Sequence, residues 1–422
     1  MRVRIHRGAQ EIGGNCIEIE ARGSRLVLDL GRPLDAGRDE VPLPAISGLA
    51  DGADGSLLGV VISHPHQDHY GLLPQIAASV PVFIGESAQR LVNEAAWFIG
   101  AKQAIRAREH LRHRRPLSLG PFRITPFLND HSAYDAYSLL IEAGGRRLFY
   151  TGDIRGRGRK AGMFEALCTR PPREVHSLLM EGTHVRPAGP ASQGLTERGV
   201  EEELLSLCRR THGAVFVAYS GQNIDRLVSI HRAALRAGRE LVVDLYGATM
   251  GQATGNPRIP QPGHRGLRVL VPQRQRVKIR KEGCFERVNS LGRSRVYADE
   301  LKASPSKFII TLRANVLPDL EGCRSSRAES RDPFSDAHAV WSMWDGYLEQ
   351  HNSQRVRDFA ARHEVPLTSI HASGHATVPE LQRLVASLAP ERVVPIHSSA
   401  TGRFAEFFPR VVNHPDGEWW TV

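Results

Sequence analysis

Residues 60–69 read VVISHPHQDH, an apolar run that leads directly into a cluster of histidine and aspartate. The apolar part is typical of a buried β-strand. His64 and His66 are two residues apart, so their side chains point the same way where the backbone is extended. Asp68 and His69 follow at a predicted turn into a helix. We predict that these four side chains begin a metal site.

The ligand types in this cluster indicate which metal it holds. Four imidazole and carboxylate side chains within six residues suit a pair of divalent cations about 3.5–4 Å apart. The five cysteines are odd in number and include no CxxC pair, so a thiolate zinc site and a disulfide framework are not expected. We expect two divalent metal ions, with zinc favoured and manganese as the alternative, in a protein of the reducing cytoplasm.

The composition is that of an ordinary α/β protein, with 41% hydrophobic and 6% aromatic residues in a chain of 422. No apolar run approaches the ~20 residues of a membrane span, and the N-terminal MRVRIHRGAQ lacks the apolar segment of a signal peptide. The net charge is +10 and the sequence pI is near 9.7, which favours polyanions such as nucleic acid as partners. Arginine used as a solvated surface residue explains the same charge.

Clustering of the basic residues supports nucleic acid as a partner over a generally basic, solvated surface. Residues 105–115 read IRAREHLRHRR, residues 155–160 read RGRGRK, and residues 265–281 contain seven lysines and arginines. The second cluster directly follows a candidate metal ligand, Asp153. Phosphate contacts are therefore predicted for Arg155, Arg157, Arg159 and Lys160.

The periodicity of the chain changes twice. Residues 1–30 and 122–151 read as strands, with a hairpin across Gly144-Gly145, and helical spacing is present at residues 72–78 and 88–99. After about residue 185 strands alternate with helices, one of them capped by Thr196, as in a doubly wound subdomain. Residues 250–300 are basic and lack a clear period. Near residue 366 the pattern of the N-terminal part of the chain returns, with a predicted helix over residues 378–388. We predict a core at 1–188 and 366–422, interrupted by a domain at 189–365.

At this point the sequence resembles the metallo-β-lactamase superfamily, whose signature is His-x-His-x-Asp-His at a strand end. Later motifs of that superfamily are matched by His131 in NDHSAYDAYS, Asp153 in FYTGDIRG and His397 in VVPIHSS. The resemblance implies an αββα sandwich, here with an inserted α/β domain. It implies one metal on His64, His66 and His131, and a second on Asp68, His69 and His397. It also implies that Asp153 bridges the two metals and that Asp29 supports the histidine loop.

The long interval between Asp153 and His397 resembles the β-CASP branch, the nucleic-acid-processing nucleases that include ribonuclease J. Two further motifs of that branch are matched by Glu181 in LLMEGTH and His375 in HASGHA. Two departures are present. The last motif reads Ile396-His397-Ser398-Ser399 where the branch usually has Val-His-Gly-Glu. The sequence also ends soon after the core, so the extra C-terminal domain of ribonuclease J is expected to be absent.

The resemblance implies phosphodiester hydrolysis, with His375, Glu181 and Asp68 as the catalytic residues. His375 would protonate the leaving 3′-oxygen, and Glu181 would orient it; the alternative is a structural histidine. Ser220, Gln222 and Asn223 lie where a strand meets a helix start, which suits either a bound phosphate or plain capping. Ser373, in the motif of His375, is a further predicted nucleic-acid contact.

Three rival classes of protein share parts of this pattern. A small-molecule hydrolase such as a lactonase, thiolesterase or β-lactamase needs the metal ligands but not His375 or the insertion. A non-catalytic nucleic-acid-binding relative typically loses ligands, and a redox di-iron relative usually replaces the residue at His66 by a carboxylate. The sequence favours a metal-dependent ribonuclease over a DNA-directed nuclease. Endonucleolytic against 5′-exonucleolytic cleavage and homo-oligomer formation stay open.

Overall fold

The computed structural model of the chain describes residues 1–36, 41–101, 104–186, 194–322, 334, 336–350 and 353–422. Contacts between residues divide the chain into two compact units. Unit 1 comprises Met1–Gln193 and Gly374–Val422, and unit 2 comprises Gly194–Ser373. In the described ranges, no helix combines the length and the apolar character that a membrane crossing requires.

Strands and helices are numbered in chain order. The strands are β1 (Arg2–Arg7), β2 (Cys16–Ala21), β3 (Ser24–Leu28), β4 (Leu57–Val61), β5 (Val82–Gly85), β6 (Glu109–Leu111), β7 (Leu117–Leu119), β8 (Phe122–Leu128), β9 (Tyr137–Ala143), β10 (Arg146–Tyr150), β11 (Ser177–Glu181), β12 (Val215–Ala218), β13 (Glu240–Asp244), β14 (Leu267–Leu270), β15 (Arg295–Val296), β16 (Phe308–Thr311), β17 (His338–Trp341), β18 (Leu367–Ser369), β19 (Arg392–Ile396) and β20 (Trp419–Thr421). The helices are α1 (Gln67–Tyr70), α2 (Glu86–Ile99), α3 (Ala161–Thr169), α4 (Glu197–Arg210), α5 (Ile224–Arg236), α6 (Leu245–Ala253), α7 (Gln273–Glu282), α8 (Glu286–Asn289), α9 (Ala298–Ala303), α10 (Leu317–Glu321), α11 (Asp345–Leu348), α12 (Gln354–Arg362) and α13 (Val378–Leu388).

Unit 1 contains two sheets that face each other. The first has the order β20-β1-β2-β3-β4-β5-β6 and the second has the order β19-β11-β10-β9-β8-β7. One apolar cluster joins their inner faces, with Ile5 and Ile19 from the first sheet against Leu139 and Leu148 from the second. Successive side chains of a strand point to opposite faces. The apolar side chains on the outer face of each sheet must therefore be covered by other elements.

Helices cover both outer faces of unit 1. Ala88 and Val92 of α2 pack on the first sheet together with Val60 and Ile62. Helices α3 and α13 pack on the second sheet through side chains that include Phe164. These four layers are the predicted αββα sandwich, which is confirmed.

Local sequence signals account for several of these elements. Thr196 accepts a hydrogen bond from the Gly199 N–H at the start of α4, which is the predicted N-cap. Gly144 and Gly145 have φ of 57° and 75°, as the tight turn between β9 and β10 requires. Helix α13 spans the predicted residues 378–388 and begins with a capping box.

Unit 2 is built on one parallel sheet with the strand order β15-β14-β13-β16-β12-β17-β18. Helices α9, α10 and α12 pack on one face, where Leu301, Leu317 and Phe359 join one apolar cluster. The chain moves outward from β12 to β15 and then returns to place β16 between β13 and β12. The alternation of strand and helix predicted for this part of the sequence is present.

Three expectations about local structure differ from the structure. Residues 72–78 form only a 3₁₀ turn at Leu73–Gln75, because the Ala77 N–H donates to Leu49 O instead of continuing a helix. Residues 250–300, whose sequence has no clear period, contain β14, α7, α8 and β15. Residues 367–369, expected in the returning core, form β18 and pair with β17 of unit 2.

Candidate metal centre

The HPHQDH segment follows β4, where the chain leaves the first sheet. His66, extended at φ −92° and ψ 146°, precedes α1, and Asp68 and His69 lie buried within that helix. Gly31 permits this packing, since a Cβ there would lie 1.8 Å from the Asp68 carbonyl oxygen. The close approach of two backbones therefore holds the ligand segment against the end of β3.

A first group of candidate ligands consists of His64, His66, His131 and Asp153, whose ligand atoms all lie within 4.8 Å of one another. Oδ2 of Asp153 lies 3.5 Å from Nε2 of His64 and 3.8 Å from Nε2 of His131. Nδ1 of His66 lies 3.1 Å from Nε2 of His131. Two nitrogens bound to one tetrahedral zinc are about 3.3 Å apart, so these separations suit a shared cation.

A second group consists of Asp68, His69, His397 and again Asp153, within the same 4.8 Å limit. Nε2 of His69 lies 3.3 Å from Oδ2 of Asp153 and 3.8 Å from Oδ2 of Asp68. Nε2 of His397 lies 3.9 Å from Oδ2 of Asp68. Asp153 belongs to both groups, so the structure brings all seven predicted metal ligands together and places Asp153 between the two sets.

Several ligand atoms of this cluster are buried without a hydrogen bond. They are Nε2 of His64, His69 and His397 and Oδ1 of Asp153. Buried polar atoms are nearly always paired, so four unpaired atoms in one place require an explanation. Divalent cations supply it, because neutral imidazole and carboxylate are donors that zinc and manganese both accept. The residues present therefore fit the metal that the sequence implied.

The surroundings of most of these histidines favour the neutral imidazole, which has a lone pair to donate to a metal. Burial holds the pKa of His64 and His131 well below the ordinary value and lowers the pKa of His66 to about 4. His69 differs, because the carboxylates of Asp153, Asp29 and Asp68 outweigh its burial and raise its pKa. The surrounding histidines lower the pKa of Asp153 against its own burial. Apart from His69, the centre thus offers neutral imidazoles around an ionised carboxylate.

Asp29 fixes two of the ligands from behind. Its Oδ2 lies 2.7 Å from Nδ1 of His69 and accepts a hydrogen bond from Ser63 Oγ at 2.7 Å. Ser63 Oγ in turn lies 3.0 Å from Nδ1 of His64. With both Nδ1 atoms paired to protein groups, the Nε2 atoms are the ones left for metal. This geometry is the supporting position that the resemblance implied for Asp29.

Two supporting residues were not recognised from the sequence. Asn15 Oδ1 lies 3.1 Å from Nδ1 of His397, and the Tyr150 hydroxyl donates to Oδ2 of Asp29. Asn15 Nδ2 also lies 3.5 Å from the Tyr150 oxygen. The sequence offered one weak signal for Asn15, a polar residue between Gly14 and an apolar strand. It offered none for Tyr150, which reads as a core residue of β10.

Backbone conformation also distinguishes this centre. Asp29 has φ of 56° and His397 has φ of 50°. Non-glycine residues seldom adopt this left-handed region, although asparagine, aspartate and histidine do so more often than others, and such residues concentrate at functional sites. The tertiary structure therefore holds His397 in a costly conformation that brings its ring to the ligand cluster.

His375 and Glu181 lie beside the same cluster. Nδ1 of His375 lies 3.1 Å from Oε2 of Glu181 and 3.8 Å from Oδ2 of Asp153. The buried Glu181 carboxylate also accepts hydrogen bonds from the backbone N–H groups of Ile154 and Thr183. Burial lowers the pKa of His375, but Glu181 and Asp153 outweigh it and raise that pKa to about 9. The pair is placed to hold a proton next to the metal ligands.

The basic cluster after Asp153 is largely engaged within unit 1. Arg155 is 0% exposed and pairs with Asp130 at 3.5 Å, so the predicted phosphate contact does not fit its placement. Arg157 donates to Glu380 and Thr377. Lys160 donates to the backbone oxygen of His131. Arg159 is partly buried.

The remaining predicted nucleic-acid contacts lie in unit 2. Asn223 accepts a hydrogen bond from the Arg226 N–H and caps α5, which is the capping alternative. Ser220 is exposed, and Gln222 and Ser373 are partly buried. Their contact with nucleic acid stays a prediction.

Comparison with known proteins agrees with this geometry. A model described as "Beta-lactamase superfamily domain" matches residues 38–191. A model described as "Zn-dependent metallo-hydrolase RNA specificity domain" matches residues 365–406.

Relatives extend the similarity over nearly the whole chain. Ribonuclease J of Mycobacterium tuberculosis is 25% identical over 429 aligned residues, covering 94% of this chain and 69% of the relative. An RNase J-like protein of Methanocaldococcus jannaschii is 24% identical over 58% of this chain and 57% of its own length. A crystal structure of a protein of unknown function from Enterococcus faecalis V583 covers 100% of this chain and 99% of that protein, with a TM-score of 0.76 and 19% identity. This last likeness supports the fold.

Fold, ligand cluster and domain matches define a metal-dependent hydrolase of the metallo-β-lactamase fold. More particularly, the chain is ribonuclease J-like, since its similarity to ribonuclease J extends over 94% of its length.

Proposed function

We propose that the protein hydrolyses phosphodiester bonds of RNA with two divalent cations. The observation that carries the proposal is the His375–Glu181 pair, whose histidine nitrogen lies 3.8 Å from the Asp153 carboxylate shared by both ligand groups. A hydrolase acting on an ester with a good leaving group has no need for a second proton-holding group there. The similarity to proteins named ribonuclease J and the RNA specificity domain favours RNA as the substrate.

In the proposed reaction, His64, His66 and His131 would hold one cation, and Asp68, His69 and His397 would hold the other, with Asp153 available to both. Bound divalent cations supply an activated water and positive charge opposite the phosphoryl oxygens. Zinc is proposed over manganese, since five imidazoles contribute to the two sets.

His375 supplies the proton that the leaving group requires. Glu181 accepts from Nδ1 at 3.1 Å, which keeps a proton on that nitrogen and fixes the ring. Nε2 is then the atom that donates to the departing 3′-oxygen. Thr183 Oγ1, 3.1 Å from His375 Nδ1, helps to hold the ring in this orientation.

We also propose that the enzyme works in the cytoplasm. The four cysteines that the structure describes are free thiols, two of them buried, while Cys323 lies outside the described residues. Free thiols suit a reducing compartment. Fractionation of cells that produce the tagged protein tests this location.

The function is tested by incubating purified protein with RNA and DNA of the same sequence, labelled at the 5′ or the 3′ end. We expect cleavage of RNA that stops when a chelator is added and returns with zinc. The two labels separate cleavage from the 5′ end from internal cleavage. Intact RNA under all conditions, or cleavage that ignores the chelator, contradicts the proposal.

A further inference from the structure

A strongly basic segment with many exposed side chains lies in unit 2 between residues 273 and 297. This segment contains eight lysines and arginines against two glutamates. We use the term basic surface for six of its residues, namely Arg274, Arg280, Lys281, Phe285, Arg293 and Tyr297. None of them belongs to the ligand groups described above.

Helix α7 separates its buried side from its charged side. The buried residues are Gln275 and Ile279, which are four residues apart and therefore share one face. At 3.6 residues per turn, Arg274, Arg280 and Lys281 fall on the opposite side, and all three are exposed. The helix thus packs by a narrow inner face and directs three cations away from the unit.

These cations differ from their neighbours in having no carboxylate partner. Arg276 pairs with Asp319 at 2.9 Å, and Lys278 pairs with Glu282 at 2.8 Å. Across the described ranges, Arg274, Arg280, Lys281 and Arg293 form no ion pair. Their positive charge is therefore available to an anionic partner.

Two exposed aromatic rings accompany the cations. Phe285 is 50% exposed and Tyr297 is 52% exposed, and the guanidinium of Arg295 lies 4.9 Å from the Tyr297 ring centre. Phe285 follows Gly283, whose φ of 73° ends α7. Proteins combine exposed rings with cations to bind single-stranded nucleic acid, since unpaired bases stack on the rings while phosphates contact the cations.

We infer that the basic surface binds single-stranded RNA, with phosphates on Arg274, Arg280 and Lys281 and bases on Phe285 and Tyr297. The identity of the polyanion rests on the proposed function. A duplex is a poorer fit because its bases are stacked on each other and unavailable to the rings. The basic surface contains none of the candidate metal ligands or the His375–Glu181 pair, so it would lower KM for RNA without changing kcat.

The test compares two triple variants of the holoenzyme with the same change in net charge. The first is Arg274→Glu/Arg280→Glu/Lys281→Glu, and the control is Arg232→Glu/Arg258→Glu/Arg355→Glu, three exposed arginines elsewhere in unit 2. Each is assayed on a single-stranded RNA of about 30 nucleotides and on bis(4-nitrophenyl) phosphate. RNA dissociation constants are measured alongside, as are melting temperatures.

We expect the first variant to raise KM and Kd for RNA about tenfold and to reduce the slope of log K against log salt by about 2, since about three phosphate contacts are lost. Its kcat and its rate on the small diester should match the control. Phe285→Ala should weaken RNA binding about fivefold or more. Equal RNA binding in both triple variants overturns the inference, and unchanged binding in Phe285→Ala overturns the single-strand assignment.

Failure of the proposed function is distinguishable from failure of this inference. If the wild type binds RNA but never cleaves it, the proposed function falls, while the Kd comparison still decides about the basic surface. If the wild type cleaves RNA and the first triple variant has the same Kd and KM for RNA as its control, the basic surface does not contact RNA. If the wild type binds no RNA, both are wrong.

Discussion

The Tyr150 hydroxyl donates a hydrogen bond to Oδ2 of Asp29, the same oxygen that lies 2.7 Å from Nδ1 of His69. Ser63 Oγ donates to that oxygen as well. A carboxylate oxygen that serves several donors is fixed in position, and its histidine partner is fixed with it. The candidate metal ligands are thus oriented by residues that belong to neither ligand group.

Removal of the Tyr150 hydroxyl should weaken metal binding without disturbing the fold. Tyr150→Phe keeps the ring but frees Oδ2 of Asp29 to move, and loss of such a supporting contact costs roughly 10- to 100-fold in metal affinity. Zinc affinity is measured by competition with a chromophoric chelator, and Co²⁺ spectra report the ligand geometry.

A matched control is Tyr137→Phe, which removes a buried tyrosine hydroxyl that donates to Asp135 at 2.7 Å. Asp135 is in neither ligand group, so zinc affinity should stay unchanged. Equal loss of affinity in both variants would mean that any buried tyrosine hydroxyl matters through stability alone.

Asp153 should be required for metal more than any other ligand, because it belongs to both ligand groups. Asp153→Ala is expected to lose most bound metal and all measurable hydrolysis, whereas Asp51→Ala, at an exposed aspartate, keeps both. Elemental analysis of the purified variants gives the metal content. Two full equivalents of metal in Asp153→Ala would disprove the shared-ligand assignment.

Removal of metal should lower thermal stability. A ligand that binds only the folded state, present at a thousandfold excess over Kd, contributes about 4 kcal/mol. We expect chelator to reduce Tm and zinc to restore it, with no zinc effect in Asp153→Ala. Calorimetric scans with and without chelator measure this difference, and a Tm insensitive to chelator argues against a metal centre.

His375→Ala should keep its metal and its RNA affinity but lose roughly 10²- to 10⁴-fold in kcat on RNA, the usual contribution of a positioned proton donor. The loss should shrink on bis(4-nitrophenyl) phosphate, whose leaving group needs no proton. The ratio of the two losses is the measurement. Equal losses on both substrates, in a variant shown to be folded and metal-loaded, would reject the proton-donor role.

Arg155 should contribute to the stability of the folded protein. Arg155 pairs with Asp130 in the protein interior, so Arg155→Ala removes one partner of a buried ion pair, at a cost of about 3–5 kcal/mol in the free energy of unfolding. Arg123→Ala breaks a pair in which the arginine side chain is 59% exposed and should cost less than about 1 kcal/mol. Urea titration gives both values. A small effect of Arg155→Ala, accompanied by weaker RNA binding, would restore the phosphate contact originally predicted.

Two differences between prediction and structure have identifiable physical causes. Helix α7 has no apolar period because only Gln275 and Ile279 are buried and Gln275 is itself polar. Residues 72–78 have helical spacing, yet the backbone of Ala77 bonds to Leu49. Such a tertiary hydrogen bond competes with local propensity and has no trace in the sequence around it.

The sequence by itself determined the candidate ligand set, because the order of His and Asp at strand ends, from His64 to His397, resembles that of the metallo-β-lactamase superfamily. It also determined the sandwich, since apolar runs and glycine turns are local signals. Only the tertiary structure decided which polar side chains support those ligands and which cations are available to a partner. Tyr150 reads as core and Arg155 reads as a surface residue, and their roles follow from Asp29 and Asp130, which are distant in the chain and adjacent in space. Pairing between distant residues depends on how the strands are stacked, and the local sequence does not encode that arrangement.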